Sequence, residues 1–242
     1  MKVVILAGGL GTRLSEYTKV IPKPMVKIGK NPILKHIMKC FYSYGFKEFI
    51  IATGYKRKII EDYFKESLKK DKELSKCSVN LVNTGRNTLT GGRIKRLKDF
   101  IEGENFFMTY GDGVANVDLI KLRDFHNSHK KTATVTAVRP IPRFGALEIE
   151  ENLVRSFSEK DKVKEGWING GFFVFNKKIF DYLPDDQTIL EREPLEKLSK
   201  ERNLLAYKHE GFWHCMDTIR DKEFLDKLSN IKGSPPWHIP SL

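Results

Sequence analysis

The chain has 242 residues, of which 40% are hydrophobic and 31% are charged, and this balance excludes a mainly disordered protein. Lysine and arginine number 43 against 31 aspartates and glutamates, so the net charge of +12 favours an anionic partner such as a phosphate, a nucleotide, nucleic acid or a membrane surface. Three separated cysteines fit neither a disulfide framework nor a zinc site, and no apolar run reaches the roughly 20 residues of a membrane helix, so we expect a cytoplasmic protein.

The first half of the chain alternates predicted strands and helices. An apolar run at 3–7 predicts a strand buried on both faces, and a glycine-rich turn at 8–13 follows it. Apolar spacing predicts one helix at 31–44 and another that begins near Lys56 and continues past Phe64. Two more strands are predicted at 49–53 and 77–84, and a loop at 85–93. The segment at 105–113 is predicted as a strand that, after Tyr110, ends in a turn with a carboxylate.

The second half is predicted to continue the same architecture. Its predicted elements are a helix at 118–129, a strand at 132–138, a hairpin at 146–159, a strand at 170–175 and helices near 176–182 and 191–202. Repeated strand and helix units predict an α/β fold with a Rossmann-like, doubly wound, mostly parallel sheet, which binds ligands at the carboxyl ends of its strands. No linker divides the chain, so we expect one domain over 1–230 and an irregular, proline-containing tail at 231–242.

The glycine-rich turn matches neither of the two common phosphate loops. A dinucleotide fingerprint requires glycine where Leu14 stands, and a P-loop requires lysine after Gly11, where Thr12 and Arg13 follow instead. Backbone N–H groups of such a turn can still approach an anion, and Arg13 can pair with it. A purely structural turn remains the alternative.

A second basic residue, Lys23, lies between Pro22 and Pro24, which restrict the backbone on both sides. A rigidly presented cation beside an anion-binding turn suits a polyphosphate. The combination of GGLGTRL at 8–14 with PKPM at 22–25 resembles the signature of the sugar-phosphate nucleotidyltransferases. Further segments, from NTGRNTLTGGRIKR to GFWHCMDTIRDK, follow in the order typical of that family and resemble its branch that uses CTP and glucose 1-phosphate.

The resemblance implies that 1–115 mainly binds the nucleotide and that 116–230 mainly binds the sugar phosphate. Arg13, Lys23 and Asp112 would be catalytic, and Gly91 with Gly92 would lie in a base-reading loop, unless these glycines only form a wide turn. The implied nucleotide-binding residues are Leu6, Ala7, Gly8, Gly9, Gly11, Thr12, Arg13, Lys23, Thr84, Asn87, Gly91, Gly92, Arg93 and Gly111.

The resemblance also implies a metal site and a sugar site. Asp112 and Asp217 would hold Mg²⁺, which needs few protein carboxylates when phosphate oxygens and water complete its shell. The implied sugar-binding residues are Gly145, Glu159, Lys160, Lys162, Asn169 and Gly170. Asp161 stands where the family has proline, so Lys160, Lys162 and Lys164 all remain candidates for the phosphate contact. The segment at 65–78 is shorter than the family's.

The function implied is attack by glucose 1-phosphate on the α-phosphorus of CTP, assisted by Mg²⁺, in a homo-oligomer. A related enzyme that uses another nucleotide or acceptor is the nearest alternative. The basic residues are interleaved with acidic ones and no recognition helix is apparent, so we expect no nucleic acid or membrane partner. A homologue without activity is disfavoured by the retained Arg13, Lys23, Asp112 and Asp217.

Overall fold

The structure of the protein is a computed structural model that describes residues 1–140, 146–158, 166–231 and 234–238. Its strands are β1 (Val3–Leu6), β2 (Lys27–Ile28), β3 (Asn31–Pro32), β4 (Glu48–Thr53), β5 (Ser78–Asn83), β6 (Asn105–Tyr110), β7 (Gly113–Ala115), β8 (Ala133–Val138), β9 (Ala146–Glu150), β10 (Leu153–Ser158), β11 (Ile168–Asn176), β12 (Leu204–His209) and β13 (Trp213–Cys215). Its α-helices are α1 (Ser15–Thr18), α2 (Ile33–Ser43), α3 (Arg57–Lys70), α4 (Thr90–Lys95), α5 (Leu119–His129), α6 (Glu193–Lys200) and α7 (Ile219–Ser229). Short 3₁₀ helices lie at Thr12–Leu14, Lys23–Met25, Leu74–Lys76, Lys98–Phe100 and Lys177–Tyr182.

Seven of the strands form one sheet in the order β12, β8, β11, β6, β1, β4, β5. The pairs β1–β4, β1–β6, β4–β5 and β8–β12 are parallel, and only β11 runs antiparallel to its neighbours β6 and β8. The predicted mostly parallel α/β fold is therefore confirmed. Because β11 is reversed, its first residues lie at the same edge of the sheet as the carboxyl ends of β1, β4 and β6.

Both faces of the sheet are covered by apolar side chains. In β1, Val3 and Ile5 join one core layer, whereas Val4 and Leu6 join the other, so no residue of this strand is exposed. Phe41 of α2 anchors the first layer through ring contacts with four other phenylalanines, namely Phe46, Phe49, Phe107 and Phe172. Burying a side chain of this size stabilises the fold by about 1.5–3 kcal/mol.

Two local predictions need correction. The segment predicted as a loop at 85–93 contains the start of α4, because Gly91 and Gly92 pack against the 184–190 segment and both amides donate to the carbonyl of Thr188 at 2.9 and 3.2 Å. The helix predicted near 176–182 is a 3₁₀ helix whose first turn is capped by the side chain of Asn176. Tertiary contacts decided the first of these outcomes.

The last part of the chain contains elements that the sequence did not predict, namely β12, β13 and α7. Beyond α7, residues 234–238 form neither helix nor strand, and buried Trp237 donates from Nε1 to Nδ1 of His36 at 3.2 Å. The division into a domain and a tail stays a prediction. Within the described residues, no helix has the length and apolar character needed to cross a membrane.

Candidate active site

The turn after β1 crosses the carboxyl edge of the sheet. Ala7 still donates to Ala52 of β4 at 2.9 Å, and the chain then leaves the sheet. Gly11 adopts a left-handed conformation with φ of 65°, and a Cβ there would lie 2.8 Å from Cγ2 of Thr18 and 3.1 Å from Cβ of Lys23. Only glycine therefore allows the turn to pass so close to Lys23.

Arg93 of α4 connects this turn to the neighbouring 84–86 segment through hydrogen bonds. Its buried guanidinium donates to the carbonyl of Gly8 at 2.9 Å, the carbonyl of Gly85 at 2.7 Å and Oγ1 of Thr84 at 2.7 Å. Burial, with a smaller contribution from Arg96, lowers the pKa of Arg93. No carboxylate pairs with Arg93 in the described part of the chain, so main-chain carbonyls carry most of its hydrogen bonding.

A compact group of charges lies beside the turn. Nζ of Lys23 is 2.7 Å from Oδ2 of Asp112 and 2.5 Å from Oδ1 of Asp217, and Nη1 of Arg13 is 2.6 Å from Oδ2 of Asp217. Burial alone would lower the pKa of Lys23, but the two carboxylates more than offset it, so the pKa is raised. The side chain of Lys23 is 9% exposed whereas that of Arg13 is 72% exposed, which leaves Arg13 accessible to a ligand.

Asp112 and Asp217 are 105 positions apart and meet for a structural reason. Asp112 follows β6, and β7 directly after it pairs with β13, which precedes Asp217. The amide of Met216 donates to the carbonyl of Asp112 at 2.8 Å. At the start of α7, Thr218 and Asp221 form a capping box, and Oδ2 of Asp221 accepts from the amide of Asp217 at 3.1 Å. These contacts fix the direction of Asp217.

An open cavity of about 330 Å³ joins the turn to the charged group. It is lined by most of the predicted nucleotide-binding residues, namely Leu6, Ala7, Gly9, Gly11, Thr12, Arg13, Lys23, Arg93 and Gly111, together with Asp112. The predicted residues outside its lining are Gly8, Thr84, Asn87, Gly91 and Gly92. Of these, Gly91 and Gly92 are explained by packing, because a Cβ on either would lie within 2.7 Å of the 184–190 segment.

The sugar side is described only in part. Asn169 and Gly170 lie at the start of β11, at the same edge of the sheet as the cavity. The indole of Trp213 donates to the carbonyl of Gly170 at 2.7 Å. Four predicted sugar-binding residues lie outside the described residues, and these are Gly145, Glu159, Lys160 and Lys162.

Sequence reasoning missed three residues beside this cavity. Thr90 and Tyr110 line it, and both contact Glu191 through hydrogen bonds. Tyr110 ends a predicted strand beside the predicted metal ligand, which was the one available signal for it. Glu191 begins the segment EREPLEKL, which belongs to the family resemblance, but no role was predicted for it. It comes to the cavity through the packing of the adjacent 184–190 segment on α4.

The arrangement can bind anions and a hard cation, but it offers no activated thiol. Backbone amides, Arg13 and Lys23 favour phosphate groups, and the two carboxylates supply hard oxygen ligands. Burial raises the pKa of the Cys215 thiol to about 12, so this neighbour of Asp217 is not a nucleophile at neutral pH.

Comparisons with known proteins agree with this chemistry. Residues 2–220 match the family model for nucleotidyl transferases. The glucose-1-phosphate cytidylyltransferase of Salmonella typhi is 48% identical over 98% of this chain and 98% of its own. The probable glucose-1-phosphate cytidylyltransferase of Bacillus subtilis (strain 168) is 43% identical over 99% of this chain and 100% of its own. A crystal structure of HddC from Yersinia pseudotuberculosis complexed with GMP-PN superposes with a TM-score of 0.72 at 30% identity, covering 93% of this chain and 98% of that one.

Proposed function

The chain belongs to the nucleotidyl transferase family, and from that premise we propose that it transfers CMP from CTP to glucose 1-phosphate, releasing pyrophosphate and forming CDP-glucose. The observation that carries this proposal is the meeting of Lys23 with Asp112 and Asp217 beside a glycine-rich turn, at a cavity lined by Arg13, Lys23 and Asp112. The choice of CTP and glucose 1-phosphate rests on the full-length similarity to the two cytidylyltransferases.

The triphosphate is the part of CTP that this cavity suits best. Arg13 offers a planar, exposed guanidinium that can hold two phosphate oxygens at once. Lys23 is rigidly held by its flanking prolines and its two carboxylate partners, so its charge needs little rearrangement as the α-phosphorus is attacked.

The donor set fits a divalent cation, as the family resemblance implies. Among the described residues, no group of three or more His, Cys, Asp or Glu side chains could hold a metal ion without help. Mg²⁺ does not require such a group, because it is usually bound by one or two carboxylates together with substrate phosphates and water. Asp112 and Asp217 would hold it here. When bound, Mg²⁺ would neutralise phosphate charge that builds up during the transfer.

The reaction needs no general base on the protein. A sugar phosphate has a second pKa of about 6, so its oxygen is largely deprotonated at neutral pH. The protein therefore has two tasks, which are to align that oxygen with the α-phosphorus and to stabilise the charge on the leaving pyrophosphate. We assign alignment of the sugar phosphate to Asn169 with one lysine of the 160–164 segment, and charge stabilisation to Arg13 and Lys23.

A nucleotide panel tests the proposal. Purified protein with Mg²⁺ and glucose 1-phosphate is given CTP, UTP, dTTP, ATP or GTP, and pyrophosphate release is followed. We expect a strong preference for CTP. Preference for another nucleotide would assign the protein to a different branch of the family, and silence with every nucleotide would exclude glucose 1-phosphate as the acceptor.

A further inference from the structure

Tyr110 lies where the nucleotide and sugar sides of the cavity meet. It is the last residue of β6, which has β1 on one side and β11 on the other. The tyrosine lines the cavity with Asp112.

A bulge in β11 creates the space for its ring. The pairing register between β11 and β8 shifts between Asn169 and Phe173. In this stretch Gly171 adopts a φ of 80°, and a Cβ there would lie 2.7 Å from Cδ2 of Tyr110. Bulges beside functional sites commonly redirect a side chain, and here the bulge gives the tyrosine ring a slot in the sheet edge.

The hydroxyl of Tyr110 is held by two neighbours. It donates to Oε1 of Glu191, and Nδ2 of Asn169 donates to it at 3.4 Å. Because Asn169 supplies the hydrogen of its own contact, the hydroxyl hydrogen of Tyr110 is directed to Glu191.

The other carboxylate oxygen of Glu191 is anchored by Thr90. Oγ1 of Thr90 donates to Oε2 of Glu191 at 2.6 Å. Oγ1 of Thr90 also accepts from the amide of Leu190 at 2.9 Å. Since that amide supplies its own hydrogen, the hydroxyl hydrogen of Thr90 is directed to Glu191. Both carboxylate oxygens are thus fixed by residues that line the cavity.

The carboxylate keeps unused capacity to accept hydrogen bonds. Each of its oxygens can accept about two bonds, and each receives one from the residues just named. Glu191 is exposed, and within the described ranges it forms no ion pair. Its charge would repel phosphate groups, so the groups suited to it are neutral donors such as hydroxyls. Both substrates of the proposed reaction carry vicinal hydroxyl groups, on the ribose and on the hexose.

We propose that Glu191 is a substrate-binding residue that accepts hydrogen bonds from a vicinal pair of sugar hydroxyls, with Tyr110 and Thr90 as its positioning residues. The inference rests on the proposed function and adds to it a residue that selects hydroxylated sugars. The carboxylate is bidentate and pre-aligned, which suits two adjacent hydroxyl groups better than one.

The test compares Glu191→Gln with the wild-type protein on substrates that lack single hydroxyls. Glutamine keeps the shape of the side chain, but one accepting oxygen becomes an NH₂ donor. One arm compares CTP with 2′-deoxy-CTP and 3′-deoxy-CTP, and the other compares glucose 1-phosphate with its 2-, 3- and 4-deoxy forms. Tyr110→Phe serves as the second variant, and Glu193→Gln, an exposed glutamate on α6, is the matched control.

In the wild-type protein we expect the loss of a contacted hydroxyl to lower kcat/KM about tenfold to a hundredfold, the usual worth of a hydrogen bond to a charged group. Glu191→Gln should remove most of this discrimination in one arm only, which identifies the ribose or the hexose. Tyr110→Phe should weaken the same discrimination partly, and Glu193→Gln should leave it intact.

Unchanged discrimination in both arms of Glu191→Gln, with only a lower Tm, would overturn the inference, because a merely structural glutamate has that effect. In that case the wild-type protein would still convert CTP and glucose 1-phosphate. If the wild-type protein itself made no CDP-glucose, the proposed function would fail and this inference with it, so the two failures differ in the wild-type result.

Discussion

The two sides of the cavity are held by different kinds of contact. The phosphate side, formed by the turn at 8–13 with Lys23, takes its backbone shape from residues close in sequence. Distant residues then hold it in place, namely Arg93, Asp112 and Asp217. The hydroxyl side, formed by Thr90, Tyr110, Asn169 and Glu191, depends on side-chain hydrogen bonds between residues 59 to 101 positions apart. The backbone of the phosphate side can therefore be predicted from a short motif. The hydroxyl side forms only when segments from both halves of the chain pack together.

The largest effect should come from the charged group of the phosphate side. Asp112→Asn removes a partner of Lys23 and one of the two carboxylates we assign to Mg²⁺. We expect kcat to fall about 10²- to 10³-fold, the usual loss for one electrostatic contact to the transition state. Turnover and thermal unfolding measured together give the result.

Asp124→Asn, at an exposed position of α5, is the control and should behave like the wild-type protein. The fold of Asp112→Asn should persist, because the side chain of Asp112 is partly exposed. Retained activity in Mg²⁺ would remove Asp112 from the metal site.

The link between the phosphate side and the 84–86 segment is tested by Arg93→Lys. Lysine has three donors on one atom and cannot serve the spread carbonyls of Gly8 and Gly85 together with Thr84. Leaving buried acceptors unsatisfied should lower the free energy of unfolding by about 2–3 kcal/mol and raise KM for CTP more than it lowers kcat.

Arg96→Lys is the matched control, since Arg96 lies one turn further along the same segment and pairs with exposed Asp186. It should change little. Equal effects of the two substitutions on KM for CTP would contradict the linking role of Arg93.

The slot for Tyr110 on the hydroxyl side is tested by Gly171→Ala. The added Cβ meets the tyrosine ring, and the left-handed backbone is strained as well. We expect the free energy of unfolding to fall by about 1–3 kcal/mol and the discrimination among deoxy substrates to weaken. The KM for CTP itself should change least.

Gly45→Ala separates strain from collision. Gly45 has a similar φ of 83°, but a Cβ there meets nothing within 4 Å. This control should lose stability through strain alone and keep normal substrate discrimination. Altered substrate discrimination in Gly45→Ala, or unaltered discrimination in Gly171→Ala, would contradict a role of the Tyr110 slot in substrate selection.

The smallest effect should come from the capping box that directs Asp217. Burial alone would raise the pKa of Asp221, but hydrogen bonds from Thr218 and the amide of Asp217, together with the charge of nearby His214, lower it. Because the pKa of Asp221 is lowered in the folded state, its charge stabilises the fold at pH values above its usual pKa of 3.8. This contribution is lost as the pH falls through the pKa of the folded state. Asp221→Asn should cost about 1 kcal/mol at neutral pH.

This cost should shrink when unfolding is measured near pH 3. Glu223→Gln, exposed on the same helix, is the control and should show neither effect. A cost for Asp221→Asn that stays constant from pH 7 to pH 3 would contradict the role of its charge.

The sequence predicted the sheet because its signals are local. The apolar run of β1 and the turn after it depend only on neighbours along the chain, and the structure has both. The α4 helix was predicted as a loop because two glycines disfavour a helix in isolation, whereas their tight packing against the 184–190 segment requires them. The α7 helix was not predicted, although it carries a local signal, Thr218 followed three residues later by Asp221.

The site divides in the same way. Arg13, Lys23 and Asp112 follow from motifs, and the structure brings them to one cavity. Asp217 was predicted only through the family resemblance, because its approach to Asp112 depends on the pairing of β7 with β13. Glu191 lies in the segment EREPLEKL of the family resemblance, but its role could not be predicted, since its neighbours Thr90 and Tyr110 are 101 and 81 positions away. The roles of Gly145, Glu159, Lys160 and Lys162, cytoplasmic location and homo-oligomer formation stay predictions.

The most direct test of the proposed function is phosphorus NMR of a reaction that contains the wild-type protein, CTP, glucose 1-phosphate and Mg²⁺. Attack on the α-phosphorus predicts two new coupled signals from CDP-glucose and an equal amount of pyrophosphate. CDP with a glucose bisphosphate would instead show transfer of the terminal phosphoryl group, and CMP with pyrophosphate would show hydrolysis. Either pattern would contradict nucleotidyl transfer to the sugar phosphate.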